Sequence, residues 1–112
     1  MTRNQYLGEF EELVLLAIRQ LGENAYGVTI RQMVKDVAER PTSIGAIYTT
    51  LDRLEEKGMI TSRQGEATPE RGGRAKRYFR LESMGVQALH DTERVRENLR
   101  NAGLQPQLVG QS

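Results

Sequence analysis

Between Ser43 and Arg80 the chain concentrates side chains suited to holding a polyanion. Hydroxyls stand at Ser43, Thr49 and Thr50, with small Ala46 and the cation Arg53 on the same predicted helical face. Five cations follow from residue 71 to residue 80 with no acid among them: Arg71, Arg74, Lys76, Arg77 and Arg80. Short hydroxyl side chains let a helix lie close to base edges and phosphates, and Arg engages guanine or phosphate through its planar fork. The implied chemistry is nucleic-acid binding.

Catalytic chemistry is thinly supplied. His90 is the single histidine and there is no cysteine. A nucleophile–base pair or a zinc site therefore cannot be assembled from the usual ligands. Gly72-Gly73 lacks the Lys-Ser/Thr that completes a phosphate-binding loop. The carboxylates are interleaved with Lys and Arg along helical segments, as on solvated surfaces. The expectation is a protein that is not an enzyme and carries no cofactor and no metal.

Positioning these side chains requires particular elements. Ile44, Ile47, Leu51 and Leu54 recur at spacings of three and four, which predicts a helix with that stripe buried and Ser43, Ala46, Thr49, Thr50 and Arg53 turned outward. Gly58 marks its end. A strand at Met59–Thr61, a loop containing Pro69, Gly72 and Gly73, and a return strand at Ala75–Leu81 complete a basic hairpin, with Phe79 and Leu81 inward and Lys76, Tyr78 and Arg80 outward. Upstream, a helix is expected over Gly8–Leu21 and a second over Tyr26–Arg40, broken by Pro41, with Thr42 or Ser43 capping the third. A basic loop alone is usually plain soluble surface. Helix, glycine stop, strand, glycine-rich basic loop and strand in this order instead describe a winged helix-turn-helix that presents a helix and a hairpin to DNA.

The fold class expected is mainly α with a small β-hairpin. Residues 1–81 form the winged helix-turn-helix, 82–102 a dimerisation helix, and 103–112 a flexible tail. At 112 residues and 38% hydrophobic content the core is modest. The middle of the first helix is apolar on most sides, and the last helix carries a thin seam. A homodimer interface is thus expected from Phe10, Leu15, Ile18, Leu89, Thr92, Val95 and Leu99. Absence of cysteine, of an apolar signal core in Met1–Gln5 and of a membrane-length apolar run fits a cytoplasmic location away from the membrane.

Four segments resemble the PadR family of bacterial transcriptional regulators: Leu7–Leu13, Ala25–Ile30, Ser43–Gly58 and Arg71–Phe79. The third is the most specific, with Tyr48 at the family's recognition-helix tyrosine and a Leu-x-x-Leu-Glu-x-x-Gly ending at Gly58. The resemblance covers Leu7–Leu89 and implies a dimeric winged-helix repressor on a palindromic operator, of the short type with one C-terminal helix. It implies that Tyr48 reaches a phosphate. Many members carry Tyr after the glycine of the second helix; this chain has Val28, so that contact is lost or supplied by Tyr26, which is counted among the DNA-binding residues. Some short members bind aromatic drugs through a Trp that this chain lacks, and a small-molecule effector stays unidentified. The competing reading is a protein-interaction module whose basic hairpin binds an acidic partner; the hydroxyl-rich helix favours double-stranded DNA.

Overall fold

Four helices and a two-stranded antiparallel hairpin follow one another as α1 (Glu9–Leu21), α2 (Gly27–Asp36), α3 (Ile44–Glu56), β1 (Ile60–Gln64), β2 (Arg77–Leu81) and α4 (Ser83–Ala102) in the computed structural model, which describes residues 7–65 and 75–102. This is the helix–helix–helix–hairpin order expected of a winged helix-turn-helix, followed by one long helix.

The core is a single cluster. Val14, Leu15 and Ile18 of α1 meet Ile30 and Val34 of α2, Ile47, Leu51 and Leu54 of α3, and Phe79 of β2. Each fully buried side chain of this size contributes roughly 1.5–3 kcal/mol of transfer free energy. The all-round apolar middle of α1 has its explanation here. Leu15 and Ile18 are enclosed by the chain's own helices and hairpin, at 0% and 2% exposure. So is Leu89 of α4, at 0%. These three residues were expected at a subunit interface, and they have no surface left to give a partner.

α2 is shorter than its apolar pattern suggested. It stops at Asp36 and caps at Val37, and Glu39 takes a left-handed φ of 56° that turns the chain before Pro41. Val28 and Val37 lie at 59% and 73% exposure rather than in the core. The turn into α3 is pinned by Arg31, whose Nε donates to the Thr42 carbonyl at 2.7 Å. Ser43 then caps α3, its Oγ accepting from the Ala46 amide at 3.0 Å.

The far end of α3 closes in a Schellman motif. The Met59 amide donates to the Leu54 carbonyl and the Gly58 amide to the Glu55 carbonyl, both at 3.0 Å, with Gly58 at φ 79°. The chain enters β1 directly. β1 runs on to Gln64, beyond the expected Thr61, and β2 begins at Arg77. Their register pairs Ile60 with Leu81, Ser62 with Phe79 and Arg63 with Tyr78. The segment before α2 adds a third edge: the Phe79 amide donates to the Ala25 carbonyl at 2.9 Å, and Tyr26 bridges Tyr78.

α4 starts where Glu82 donates its amide to the Met59 carbonyl at 2.9 Å. Gly85 is buried against that same carbonyl, and a Cβ there would collide with its oxygen. Gly85, Ala88 and Leu89 bury the first turns of α4, while Val95 and Leu99 are 40% and 69% exposed. Arg96 on α4 donates to Glu12 on α1 at 2.6 Å, which fixes the line α4 takes across the domain. Among the described residues no helix is long and apolar enough to cross a membrane.

Because the obstacle at Gly85 is backbone rather than a movable side chain, Gly85→Ala should lower stability despite the higher helix propensity of Ala. Overpacking of this kind costs about 1–3 kcal/mol. Gly45→Ala, on an exposed part of α3 where a Cβ meets only the Ser43 Oγ at 3.9 Å, should instead raise it by up to about 1 kcal/mol. Urea denaturation of the two variants should move the midpoint in opposite directions.

Candidate nucleic-acid interface

Which side chains of α3 face outward follows from its burial against α1 and α2. Ile47, Thr50, Leu51 and Leu54 form the inner stripe. Thr50, expected on the outer face, is 4% exposed because it lies three residues from Ile47 and four from Leu54. Ile44, expected inside, is 41% exposed because it opens the first turn, ahead of the core. Ser43, Gly45 and Thr49 are exposed and Ala46 is half-buried. Tyr48 is half-buried too, its ring laid over Gly27 so closely that a Cβ there would collide with it. The tyrosine expected at a phosphate therefore sits at the junction of α3 with the first turn of α2.

Acids occupy the second half of α3, and cations are drawn onto them. Arg77 on β2, expected to hold a DNA backbone, turns to α3. Its guanidinium meets Glu55 at 2.5 Å and Asp52 at 3.5 Å, donates to Ser62 Oγ at 3.2 Å, and lies 4.9 Å from the centre of the Phe79 ring. Ser62 in turn donates to Glu55 at 2.8 Å. The alternation of β2 explains this: Arg77 shares the inner face with Phe79. Arg53 is half-exposed, 3.6 Å from Glu11 of α1, and Lys57 reaches the same carboxylate at 3.0 Å. Burial would raise the Glu11 pKa, but the Gly8 amide, the Lys57 ammonium and Arg53 together hold it below the ordinary carboxylate value.

On the outer face of the hairpin, Lys76 and Arg63 pair with no carboxylate among the described residues. Lys76 Nζ lies 4.9 Å from the centre of the Tyr26 ring, Tyr26 meets Tyr78 edge-to-face at 5.5 Å, and the Arg63 guanidinium lies 5.0 Å from the Tyr78 ring. Gly65 makes room for Tyr78, since a Cβ there would come 2.6 Å from the ring. Two aromatic rings thus hold two cations outward, with a phenol beside each. Arg63 was missed in the sequence because the strand was read only as far as Thr61; the cross-strand partner of Tyr78 is the signal that finds it. Arg80 also points outward, at 3.5 Å from Glu82. Arg71 and Arg74 lie outside the described residues. Among the described residues no cluster of His, Cys, Asp or Glu is arranged to hold a metal ion.

The matching family model is that of the PadR-like transcriptional regulators, over residues 14–91. Among solved structures, the chain is similar to a PadR family transcription regulator from hypervirulent Clostridium difficile, at 23% identity and TM-score 0.69, with 88% of this chain and 97% of that one covered. It is similar to a PadR-like transcription factor from Bacteroides fragilis, at 24% identity and TM-score 0.71, covering 83% and 84%. It also resembles Bacillus subtilis PadR in complex with operator DNA, at 26% identity and TM-score 0.63, covering 73% of this chain and 45% of that one. No curated protein matches the chain at a significant level.

The Glu11 cluster sets a pH dependence. A carboxylate whose folded pKa lies below its unfolded value contributes stability above the unfolded pKa and loses it as pH falls through the folded one. The ordinary value for the carboxyl is 4.5 and the folded value is lower. Wild-type stability should therefore fall with acidification below about pH 4.5, and Glu11→Gln should flatten that part of the profile in chemical denaturation at stepped pH. An unchanged acid limb in the variant would remove Glu11 from the account.

Proposed function

The chain belongs to the PadR-like family of transcriptional regulators, and on that footing we propose that it is a sequence-specific DNA-binding repressor acting as a homodimer on a palindromic operator. One observation carries the reading. The uncharged first half of α3 exposes Ser43, Ile44, Gly45 and Thr49, and on the outer face of the hairpin the Tyr26 and Tyr78 rings carry Lys76 and Arg63. That pairing suits a helix in the major groove with a cationic wing on the flanking backbone. The likeness to a regulator bound to its operator supports the same use.

In this reading Ser43, Ala46 and Thr49 face the base edges, and Tyr48 and Tyr26 lie near phosphates on either side. Lys76 and Arg63 bind the neighbouring backbone, with Arg71 and Arg74 continuing the cationic run. Arg53 lends a half-exposed charge while Glu11 holds it. Arg77 acts by neutralising Asp52 and Glu55, which would otherwise repel the phosphates. A dimer places two such units about one helical turn of DNA apart, roughly 34 Å. The subunit contact draws on Val95 and Leu99 of α4, which keep exposed apolar surface, with Thr92 one turn before Val95 and the half-buried Phe10 of α1. Repression follows from occupancy of promoter DNA, and the site of action is the cytoplasm.

Two measurements test this. Light scattering of the intact chain at micromolar concentration should give twice the mass of one chain, and Val95→Glu with Leu99→Glu should halve it. In gel-shift titrations across a salt series, Lys76→Ala should weaken binding to all sequences and lower the slope of log K against log salt by about one unit. Specific retention of no DNA sequence, or a salt slope unchanged by Lys76→Ala and Arg63→Ala together, would refute the assignment.

A further inference from the structure

The first two turns of α3, the part of a recognition helix that meets base edges, contain no Arg, Lys, Asn or Gln from Ser43 to Asp52. Those are the side chains that read guanine or adenine by paired hydrogen bonds. The Ser43 hydroxyl accepts from the Ala46 amide at 3.0 Å, within the helix. Asp52 is held 3.5 Å from Arg77. What stands free is a bare backbone at Gly45, where a Cβ would meet nothing closer than 3.9 Å, and three side chains bearing methyl groups. These are Ile44 at 41% exposure, the half-buried Ala46 and the exposed Thr49. Ile44 is the largest of them, and its apolar surface breaks the inner stripe that the rest of the helix keeps.

The thymine C5 methyl is the apolar group that the bases of unmodified DNA display in the major groove. Resting on the DNA-binding reading above, we propose that this protein reads its half-site chiefly through thymine methyl groups, and that Ile44 is the principal reader. Gly45 lets the helix press close enough for the contact, and Thr49, one turn on from Gly45, adds a second methyl with its hydroxyl turned to a neighbouring acceptor or phosphate. Arg53, tied to Glu11, stands at the rim and leaves the helix start to apolar contacts.

The test uses the full chain and duplexes enriched by it from a random library. In the enriched half-site each thymine is replaced in turn by deoxyuracil, which removes the C5 methyl alone. Wild type should lose about four-fold in affinity at one position per half-site, the worth of one buried methyl. Ile44→Ala should bind the thymine and deoxyuracil duplexes equally at that position, and Ile44→Val should keep part of the difference. Ile44 is a surface residue, so circular dichroism and the salt slope of both variants should match wild type. Enrichment of a sequence whose deoxyuracil series binds wild type as tightly as thymine would overturn the inference and leave the DNA-binding reading standing. So would a difference that persists unchanged in Ile44→Ala. Enrichment of no sequence would overturn both.

Discussion

The backbone of Met59 is the point on which the arrangement depends. Its amide closes the Schellman turn at the end of α3, and its carbonyl accepts the Glu82 amide where α4 begins. Gly85 packs against the same carbonyl at a distance that only glycine allows. α3, the hairpin and the long terminal helix therefore share one buried residue, at 0% exposure. Close packing transmits displacement rather than absorbing it. The angle between the helix proposed to face DNA and the helix proposed to join two subunits is set locally, by Gly58, Met59 and Gly85.

Electrostatics on this fold is a matter of position. With a net charge of +1 the chain has no overall attraction for a polyanion. Two of the three acids of α3 are met by one cation: Arg77 pairs with Asp52 and Glu55, and on α1 Glu11 gathers Arg53 and Lys57. Lys76 and Arg63 on the outer hairpin rest on aromatic rings. A cation over a ring face keeps its full charge, so it remains available to phosphate in a way that an ion-paired one is not.

Two adjacent carboxylates on α1 divide the remaining work. Glu11 faces the C-terminal half of α3, and Glu12 faces α4 through Arg96. Adjacent residues on a helix point about 100° apart, so one turn of α1 braces both α3 and α4. Both carboxylates are shielded from solvent and both are paired, the condition under which a buried charge is tolerated. Any movement of α4 relative to α1 would be felt by the side chains that steady α3.

Spacing and punctuation were enough for the order of elements, the three-helix and hairpin architecture, a hydroxyl cap at Thr42 or Ser43 and the Gly58 stop, because these depend on local rules of spacing, capping and backbone freedom; the structure places the cap at Ser43. The motif Ser43–Gly58 and the basic run after it carried the family resemblance. Which face each residue occupies was legible only in part. Thr50 and Ile44 exchange their expected places, since a three-to-four spacing defines a stripe but not where along the helix the neighbouring elements begin to cover it. Leu15, Ile18 and Leu89 read as interface residues in the sequence and are core in the fold; whether α2, the hairpin and α4 close over them depends on long-range packing. Arg77 read as a DNA contact because composition registers charge and not direction. Residue types and their spacing determined what chemistry this protein could bring to a nucleic acid. Tertiary structure decided which of those charges and methyl groups stay free to use it, because burial and ion pairing depend on neighbours far away in the chain.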